Sequence, residues 1–208
     1  MPRLVVISDT HSFFDGIADL PDGDILIHAG DITRKGDLVD LQKFAEWMDI
    51  LPHKNKIVIA GNHDFCFERT PDESKKILSN VIYLEDQWCV VEGIKFYGSP
   101  WQPRFFDWAF NADRGEEIAK IWSKIPNDTD VLITHGPPFG ILDCNAKGRH
   151  VGCQDLLMKV RDISIKAHLF GHIHEGYGVQ VVDGKKFINA SICDLKYQPI
   201  NQPIILDI

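Results

Sequence analysis

The sequence predicts an α/β fold in which helices and a mixed β-sheet alternate along the chain. Three observations lead to this prediction. Short β-branched apolar runs recur through the sequence, and most end in a polar or glycine-rich corner. Helical stretches separate several of these runs, as in βαβ units. Two later segments contain hairpin signals, which add antiparallel strands to the sheet.

Five apolar runs are predicted to be buried strands, because β-branched residues dominate them and turn residues follow them. They cover residues 4–7, 25–27, 57–59, 131–133 and 168–170. A polar side chain follows each run within three residues, so each predicted strand ends near a polar side chain at an edge of the sheet.

The clearest predicted helix covers residues 37–51, where apolar residues recur at helical spacing and a proline follows the end. Weaker helical patterns cover residues 113–124 and 152–161. A Glu-Gly dipeptide within 89–97 and an Asp-Gly dipeptide within 179–188 predict two hairpins. The sheet is therefore expected to be mixed.

The length of 208 residues, without repeats or linkers, predicts one domain spanning 1–208. The net charge of −8 argues against a protein that binds long nucleic acids, although bound metal ions would reverse the local sign. Five cysteines without a CxxC pair are expected to be free thiols in a reducing compartment. No apolar run has the length of a signal peptide or a membrane span, so a cytoplasmic location is expected.

Residues of metal-ligand type follow successive predicted strands. They are Asp9, His11, Asp31, Asn62, His135, His172 and His174. Loops at strand ends bring side chains into one site, and carboxylates with neutral imidazoles suit borderline divalent metals such as Mn, Fe, Zn or Ni. Each short pattern alone is also ordinary turn chemistry or chance. Their succession at strand ends favours a metal site.

Five sequence blocks carry these residues in a fixed order: Asp9-x-His11, Gly30-Asp31, Gly61-Asn62-His63-Asp64, His135, and Gly171-His172-x-His174. This ordered set resembles the calcineurin-like metallophosphoesterase superfamily. Further segments at 99–103, 108–111, 135–138, 174–178 and 188–191 resemble a narrower group, the small metallophosphoesterase-domain family. That group includes vertebrate brain members and is similar to class III cyclic nucleotide phosphodiesterases.

The resemblance implies a four-layer αββα sandwich of two mixed sheets flanked by helices, with two divalent metal ions at one edge. It assigns Asp9, His11 and His174 to the first metal, Asn62, His135 and His172 to the second, and Asp31 to the bridge between them. Manganese is the first expectation, and Fe, Zn, Ni or Co are alternatives.

The expected reaction is attack on phosphorus by a hydroxide that the two metals share. His63 would stabilise or protonate the leaving oxygen, and Asp64 would fix the orientation of His63. Arg34, Asn62 and His63 are the expected substrate contacts. A structural role for His63 and a solvated position for Arg34 are the alternatives.

Small phosphodiesters, cyclic nucleotides in particular, are the expected substrates. A phosphomonoesterase or protein phosphatase is the alternative, a nuclease is a third, and a non-catalytic interaction scaffold is the non-enzyme alternative. Trp101, Phe139 and Arg149 are candidates for the substrate pocket, although aromatic residues more often pack in a core. No membrane or long nucleic acid is expected as a partner, and Phe105 or Trp108 would suit a homodimer face.

Overall fold

Two β-sheets with helices on their outer faces make up the computed structural model, which describes residues 1–17 and 20–208. In chain order the strands are β1 (Arg3–Ile7), β2 (Ile25–Ala29), β3 (Asn55–Ile59), β4 (Ile82–Tyr83), β5 (Gln87–Val91), β6 (Ile94–Ser99), β7 (Gln102–Pro103), β8 (Asn111–Ala112), β9 (Val131–Thr134), β10 (Ala167–Phe170), β11 (Gly178–Val182), β12 (Lys185–Asn189) and β13 (Ile204–Asp207). The helices are α1 (Leu38–Ile50), α2 (Cys66–Arg69), α3 (Pro71–Ile77), α4 (Glu116–Ser123) and α5 (Gln154–Asp162).

Both large sheets are mixed. The first has the order β13-β1-β2-β3-β4, and only β13 runs antiparallel to its neighbour. The second has the order β11-β12-β10-β9-β6-β5, and its edge strands β11 and β5 form antiparallel hairpins with β12 and β6. The two predicted hairpins are confirmed. The expectation of a mixed sheet was right in kind, but the chain divides its strands between two sheets.

The two sheets pack face to face, because alternate residues of each strand point to opposite faces. Leu4 and Ile27 of the first sheet and Ile133 of the second are fully buried in the cluster between the sheets. Val5, next to Leu4, points the other way and belongs to the cluster beneath α1. Leu132 likewise faces the cluster beneath α4 and α5. The order of layers is therefore helix, sheet, sheet, helix, and the predicted αββα sandwich is confirmed.

Helix α1 confirms the helix predicted for residues 37–51. The Asp37 side chain accepts a hydrogen bond of 2.8 Å from the Val39 backbone N–H, which caps the first turn. Phe44 and Met48 on the inner face are fully buried. The other two predicted helices begin later than expected, at Glu116 and Gln154.

The loops after β1, β2, β3, β9 and β10 meet at one edge of the sandwich. The Asp9 N–H donates to the Gly30 carbonyl at 2.9 Å, and the Gly171 N–H donates to the His135 carbonyl at 3.0 Å. A bridge between Ser8 and Ser191 then joins this end of the first sheet to the chain that leaves the second. Within residues 1–17 and 20–208, no helix has the length and apolar character needed to cross a bilayer.

Candidate metal centre

Asp31 lies at the centre of the polar side chains at this edge. It is buried and has a left-handed φ of 56°. Its Oδ2 lies 3.7 Å from Nε2 of His11, and its Oδ1 lies 3.3 Å from Nε2 of His135. The two oxygens of one carboxylate therefore face two different groups of side chains.

The first group contains Asp9, His11 and His174, whose ligand-type atoms all lie within 4.8 Å of one another. Nε2 of His11 is 3.3 Å from Nε2 of His174, and the latter is 3.4 Å from Oδ1 of Asp9. Two imidazole nitrogens and a carboxylate thus converge on one point.

The second group contains Asp31, His135 and His172, which also lie within 4.8 Å of one another. Oδ1 of Asn62 lies 2.9 Å from Nε2 of His135, which brings the amide to the same group. The structure therefore brings together all seven residues that the sequence singled out as metal-ligand candidates.

Backbone carbonyls set the orientation of two of these histidines. Nδ1 of His174 lies 2.9 Å from the Asp194 carbonyl, and Nδ1 of His135 lies 3.0 Å from the Ala29 carbonyl. A carbonyl only accepts, so each Nδ1 carries the proton. Nε2 of each ring faces the group and becomes available as a ligand once it loses its proton, as in ligating histidines.

The two carboxylates of the site are held in the charged form. Burial opposes the charge of Asp9, but its hydrogen bond and charge interaction with His174 hold the pKa of Asp9 below its usual range. Burial also opposes the charge of Asp31, but the charge of His135 outweighs it and keeps the pKa of Asp31 well below its usual range. Burial lowers the pKa of His11 to about 4 and that of His172 to about 3. Burial opposes protonation of His135 and His174, but the neighbouring Asp31 and Asp9 carboxylates raise the pKa of each ring to about 9. Metal binding would therefore release a proton from each of these two rings, since neutral imidazoles and ionised carboxylates are the forms that bind metals.

The residues present fit divalent metal ions. Metal–ligand bonds of about 2.0–2.2 Å place ligand atoms about 3–4 Å apart. The ligand-type atoms of the first group lie 3.3–4.0 Å apart, and those of the second lie within 4.8 Å of one another. No Lys or Arg within the described ranges forms an ion pair with Asp9 or Asp31. Protonated His135 and His174 balance these two buried carboxylates, and divalent metal ions would supply the same positive charge in place of the two protons.

Two glycines let the carboxylates come this close to the backbone. A Cβ at Gly171 would overlap Oδ2 of Asp9 and the Ser8 side chain, and a Cβ at Gly61 would overlap Asp31 and lie 2.7 Å from Cε1 of His135. Side chains at these positions are therefore excluded while the carboxylates remain in place.

Asp64 lies away from the position expected for it, whereas His63 lies beside the metal-ligand candidates and forms a third group with His11 and Asp31, within 4.8 Å of one another. Nδ1 of His63 lies 2.7 Å from the Arg34 carbonyl, and its Nε2 lies 3.9 Å from Oδ2 of Asp31. Asp64 does not contact the His63 ring. Its carboxylate accepts hydrogen bonds from the backbone of Ile32, Thr33 and Gly61 and from the Thr33 hydroxyl. The expectation that Asp64 orients His63 was therefore wrong, because four donors direct that carboxylate into the loops and the Arg34 carbonyl orients the ring.

Burial and the neighbouring Asp31 charge raise the pKa of Asp64 to about 6, against the hydrogen bonds that favour its charged form. His28 is fully buried and contacts the Thr10 hydroxyl at 3.0 Å and the Gly30 N–H at 3.3 Å. Burial lowers the pKa of His28 to about 3.

Two cavities meet at His63. One, of about 240 Å³, contains Asp31, Asn62, His172 and His174 in its wall. The other, of about 560 Å³, is lined by Arg34, Lys35, Asp37 and Asp40. Three side chains line both cavities: His63, Trp108 and Tyr197.

The two aromatic candidates for the substrate pocket, Trp101 and Phe139, lie outside these two cavities. Trp101 packs against Phe110, and Phe139 lines a separate cavity. Trp108 and Tyr197 take their place, with the Tyr197 ring 4.7 Å from that of His11. Trp108 belongs to the Trp-Ala-Phe-Asn segment already noted in the sequence, whereas no local pattern marks Tyr197.

Comparison with known families agrees with this geometry. Residues 2–176 match the calcineurin-like phosphoesterase family. The chain belongs to this family. Among its relatives, human metallophosphoesterase domain-containing protein 1 is 45% identical over 99% of this chain and 71% of its own length. A UPF0046 protein of Caenorhabditis elegans is 41% identical over 98% of this chain and 74% of its own length.

Solved structures show the same fold at low identity. One crystal structure is 19% identical, with a TM-score of 0.71 over 91% of this chain and 90% of that chain. TT1561 of Thermus thermophilus is 12% identical, with a TM-score of 0.61 over 90% of this chain and 88% of that chain. Family membership and the His/Asp groups around Asp31 together support a metal-dependent phosphoester hydrolase.

Proposed function

We propose that this chain hydrolyses small phosphodiesters, cyclic nucleotides in particular, with two divalent metal ions. One observation carries the proposal: the two oxygens of the buried Asp31 carboxylate face two separate groups of ligand-type side chains. A bridging carboxylate between two such groups is what a two-metal phosphoesterase site requires.

The first ion would be held by Asp9, His11 and His174, the second by Asn62, His135 and His172, and both by Asp31. Manganese is the ion we propose first, since carboxylate and amide oxygens suit it; Fe, Zn, Ni or Co are the alternatives, and imidazole nitrogens suit Fe, Zn and Ni. When bound, the metal ions polarise phosphoryl oxygens and lower the pKa of a coordinated water, which supplies the nucleophile.

His63 is proposed to hold the proton for the leaving oxygen at Nε2. Its Nδ1–H donates to the Arg34 carbonyl at 2.7 Å, so Nε2 is the nitrogen left for the substrate. That nitrogen lies on the side of Asp31, at 3.9 Å from Oδ2. The ring lines both cavities, so it stands between the proposed metal ligands and the wider groove.

Arg34 and Asn62 are proposed as further substrate contacts. The Arg34 guanidinium lies 4.7 Å from the Phe13 ring centroid and lines the wider groove, where its charge would attract an anionic ester. Asn62 lines the smaller cavity and offers its amide N–H to a phosphoryl oxygen while Oδ1 faces His135.

We also propose that residues 1–208 act as one domain in the cytoplasm and that two copies pair through the rim that carries the exposed Phe105. Shared burial between the two sheets supports the single domain. The five cysteines, all free thiols, support a reducing compartment.

A substrate panel tests the proposed reaction. The Mn-loaded protein is assayed with bis-p-nitrophenyl phosphate, p-nitrophenyl phosphate, and 2′,3′- and 3′,5′-cyclic AMP. We expect kcat/KM for the diesters to exceed that for the monoester by about tenfold or more, which corresponds to about 1.4 kcal/mol in the barrier. A preference for the monoester would overturn the phosphodiesterase proposal.

The role of His63 is tested with His63→Ala, and His150→Ala is the matched control. His150 is a half-exposed histidine bonded to Asp143, outside both metal-ligand groups. His63→Ala should lower kcat about 10²–10⁴-fold and retain two metals per chain. Loss of metal in His63→Ala, or an equal loss of activity in the control, would contradict the assignment.

A further inference from the structure

Trp108 stacks on the ring of His63. The two ring centroids are 4.1 Å apart and the rings are inclined by 29°. We propose that Trp108 is a positioning residue, which holds the His63 imidazole so that Nε2 is directed at the leaving oxygen. This inference rests on the proposed function, in which His63 donates the proton that the leaving oxygen receives.

A single hydrogen bond does not fix the His63 ring. The bond from Nδ1 to the Arg34 carbonyl limits the rotation of the ring, but small changes in χ1 and χ2 can still tilt the ring plane while that bond is kept. A flat surface against the ring face removes this freedom, and the indole of Trp108 supplies one. His11 meets the ring nearly edge-on, with centroids 4.5 Å apart and an interplanar angle of 78°. The imidazole is thus confined by both neighbours.

The position of Trp108 is itself tied to the loop that carries His63. The N–H of Ala109, the next residue, donates to the Asn62 carbonyl at 3.1 Å. The Gln102 side-chain amide donates to the Ala109 carbonyl at 2.7 Å. Trp108 and His63 are therefore attached to one hydrogen-bonded unit, so the stacking distance is set by the backbone.

A purely structural role fits Trp108 less well than a positioning role. Its side chain is only partly buried, whereas Trp122, which does pack in the core, is almost fully buried. Trp108 also lines the cavities on both sides of His63. Its removal should therefore alter the geometry of the site more than the stability of the fold.

A series of leaving groups separates positioning from general damage. Methyl aryl phosphates with aryl groups from p-nitrophenol to phenol are assayed with Trp108→Ala, Trp108→Phe and Phe106→Ala. Phe106 lies on the same loop, is 73% exposed and forms no ring contact with His63, so it is the matched control. A nitrophenolate leaves without a proton, whereas a phenolate needs one.

For Trp108→Ala we expect kcat on the phenyl ester to fall about 10–100-fold, because misplacement by about 1 Å costs up to about 10²-fold. On the p-nitrophenyl ester, kcat should fall by less than about threefold, because a nitrophenolate leaves without a proton. Trp108→Phe keeps an aromatic ring that can stack on His63, so its kcat on the phenyl ester should stay much closer to that of the parent protein than the kcat of Trp108→Ala. The double variant with His63→Ala should be no slower than His63→Ala alone.

Two further readouts do not depend on turnover. In the metal-free protein, the indole ring current should shift the His63 ring protons upfield in NMR spectra, and Trp108→Ala should abolish that shift. Metal content should remain at that of the parent protein. Equal losses on all esters, a lower metal content, or an unchanged His63 spectrum would each overturn the positioning role.

The controls distinguish this inference from the proposed function. If His63→Ala shows the leaving-group dependence and Trp108→Ala does not, the positioning role is wrong and the proposed function stands. If His63→Ala itself lacks that dependence, the proton-donor role of His63 fails, and the role of Trp108 fails with it.

Discussion

Gly171→Ala is expected to displace Asp9, and so to lower both the stability of the fold and metal binding by the first group. The added Cβ would overlap Oδ2 of Asp9 and lie 2.7 Å from Cβ of Ser8. Carbon atoms need about 3.5–4.0 Å, so the Ser8 side chain or the Gly171 backbone must move by about 1 Å. Asp9 cannot yield freely, because its carboxylate accepts the N–H of His172 and the hydroxyl of Ser191.

Overpacking of this kind costs about 1–3 kcal/mol of stability. For a chain of this length, each kcal/mol corresponds to about 2–4 °C in Tm. Displacement of Asp9 should also lower the metal content from two ions per chain to one. Calorimetry of the metal-free protein and elemental analysis of the Mn-loaded protein measure the two effects separately.

Gly136→Ala is the matched control, since Gly136 also adjoins a proposed ligand. Its Cβ would lie 3.3 Å from Cβ of Gln102 and 3.9 Å from Cδ2 of His172, which needs shifts of only tenths of an ångström. We expect it to bind two metals and to melt close to the parent protein. If Gly171→Ala also kept two metals and an unchanged Tm, the packing of Asp9 against the Gly171 backbone would be refuted.

Three other changes test separate parts of the structure. Asp31→Asn should lower binding of both metals, because one carboxylate faces both groups; one fully retained ion in elemental analysis would contradict the bridge. Asp64→Asn should lower the unfolding free energy by about 1–3 kcal/mol, because the amide would turn a donor toward backbone N–H groups that now donate to the carboxylate. These N–H groups belong to Ile32, Thr33 and Gly61. An unchanged midpoint of urea unfolding would contradict this prediction. Burial lowers the pKa of His168 to about 3, so the folded state resists its protonation and loses stability as the pH falls below 6.5. Urea unfolding should show that the stability advantage over His168→Gln shrinks by about 2 kcal/mol from pH 7 to pH 5, and a constant difference would contradict it.

The elements with strong local patterns could be predicted from the sequence. The five apolar runs are strands, and the Glu-Gly and Asp-Gly dipeptides mark two real hairpins. Helix α1 follows its apolar spacing and its Asp37 cap. These features depend on residues that are close together in the sequence, so they can be predicted from the sequence alone.

The division into two sheets could not be predicted from the residues alone. Strands β1 and β9 are both short, apolar and fully buried beyond their first residues, and nothing local assigns them to different sheets. Strand β13 pairs with β1 across almost the whole chain, with Arg3 opposite Asp207. Such pairing depends on tertiary structure. The prediction of two sheets came from the family resemblance, because local patterns do not contain it.

The candidate site also combines residues that local sequence patterns predict with residues whose roles depend on tertiary structure. The ligand-type residues stand at strand ends and were recognised there. Asp64 was misjudged because its partners, Ile32 and Thr33, come from another loop about thirty residues away. Tyr197 was missed because a left-handed φ of 59° in a turn brings its ring to His11, and its neighbours in sequence do not predict that turn.

The central claim is that one carboxylate, Asp31, joins two metal ions in a single centre. Electron paramagnetic resonance of the Mn-loaded protein tests it most directly. We expect two Mn ions per chain with a spin-coupled spectrum, and loss of that coupling in Asp31→Asn. A spectrum of isolated Mn ions in the parent protein, or a single ion per chain, would contradict the claim.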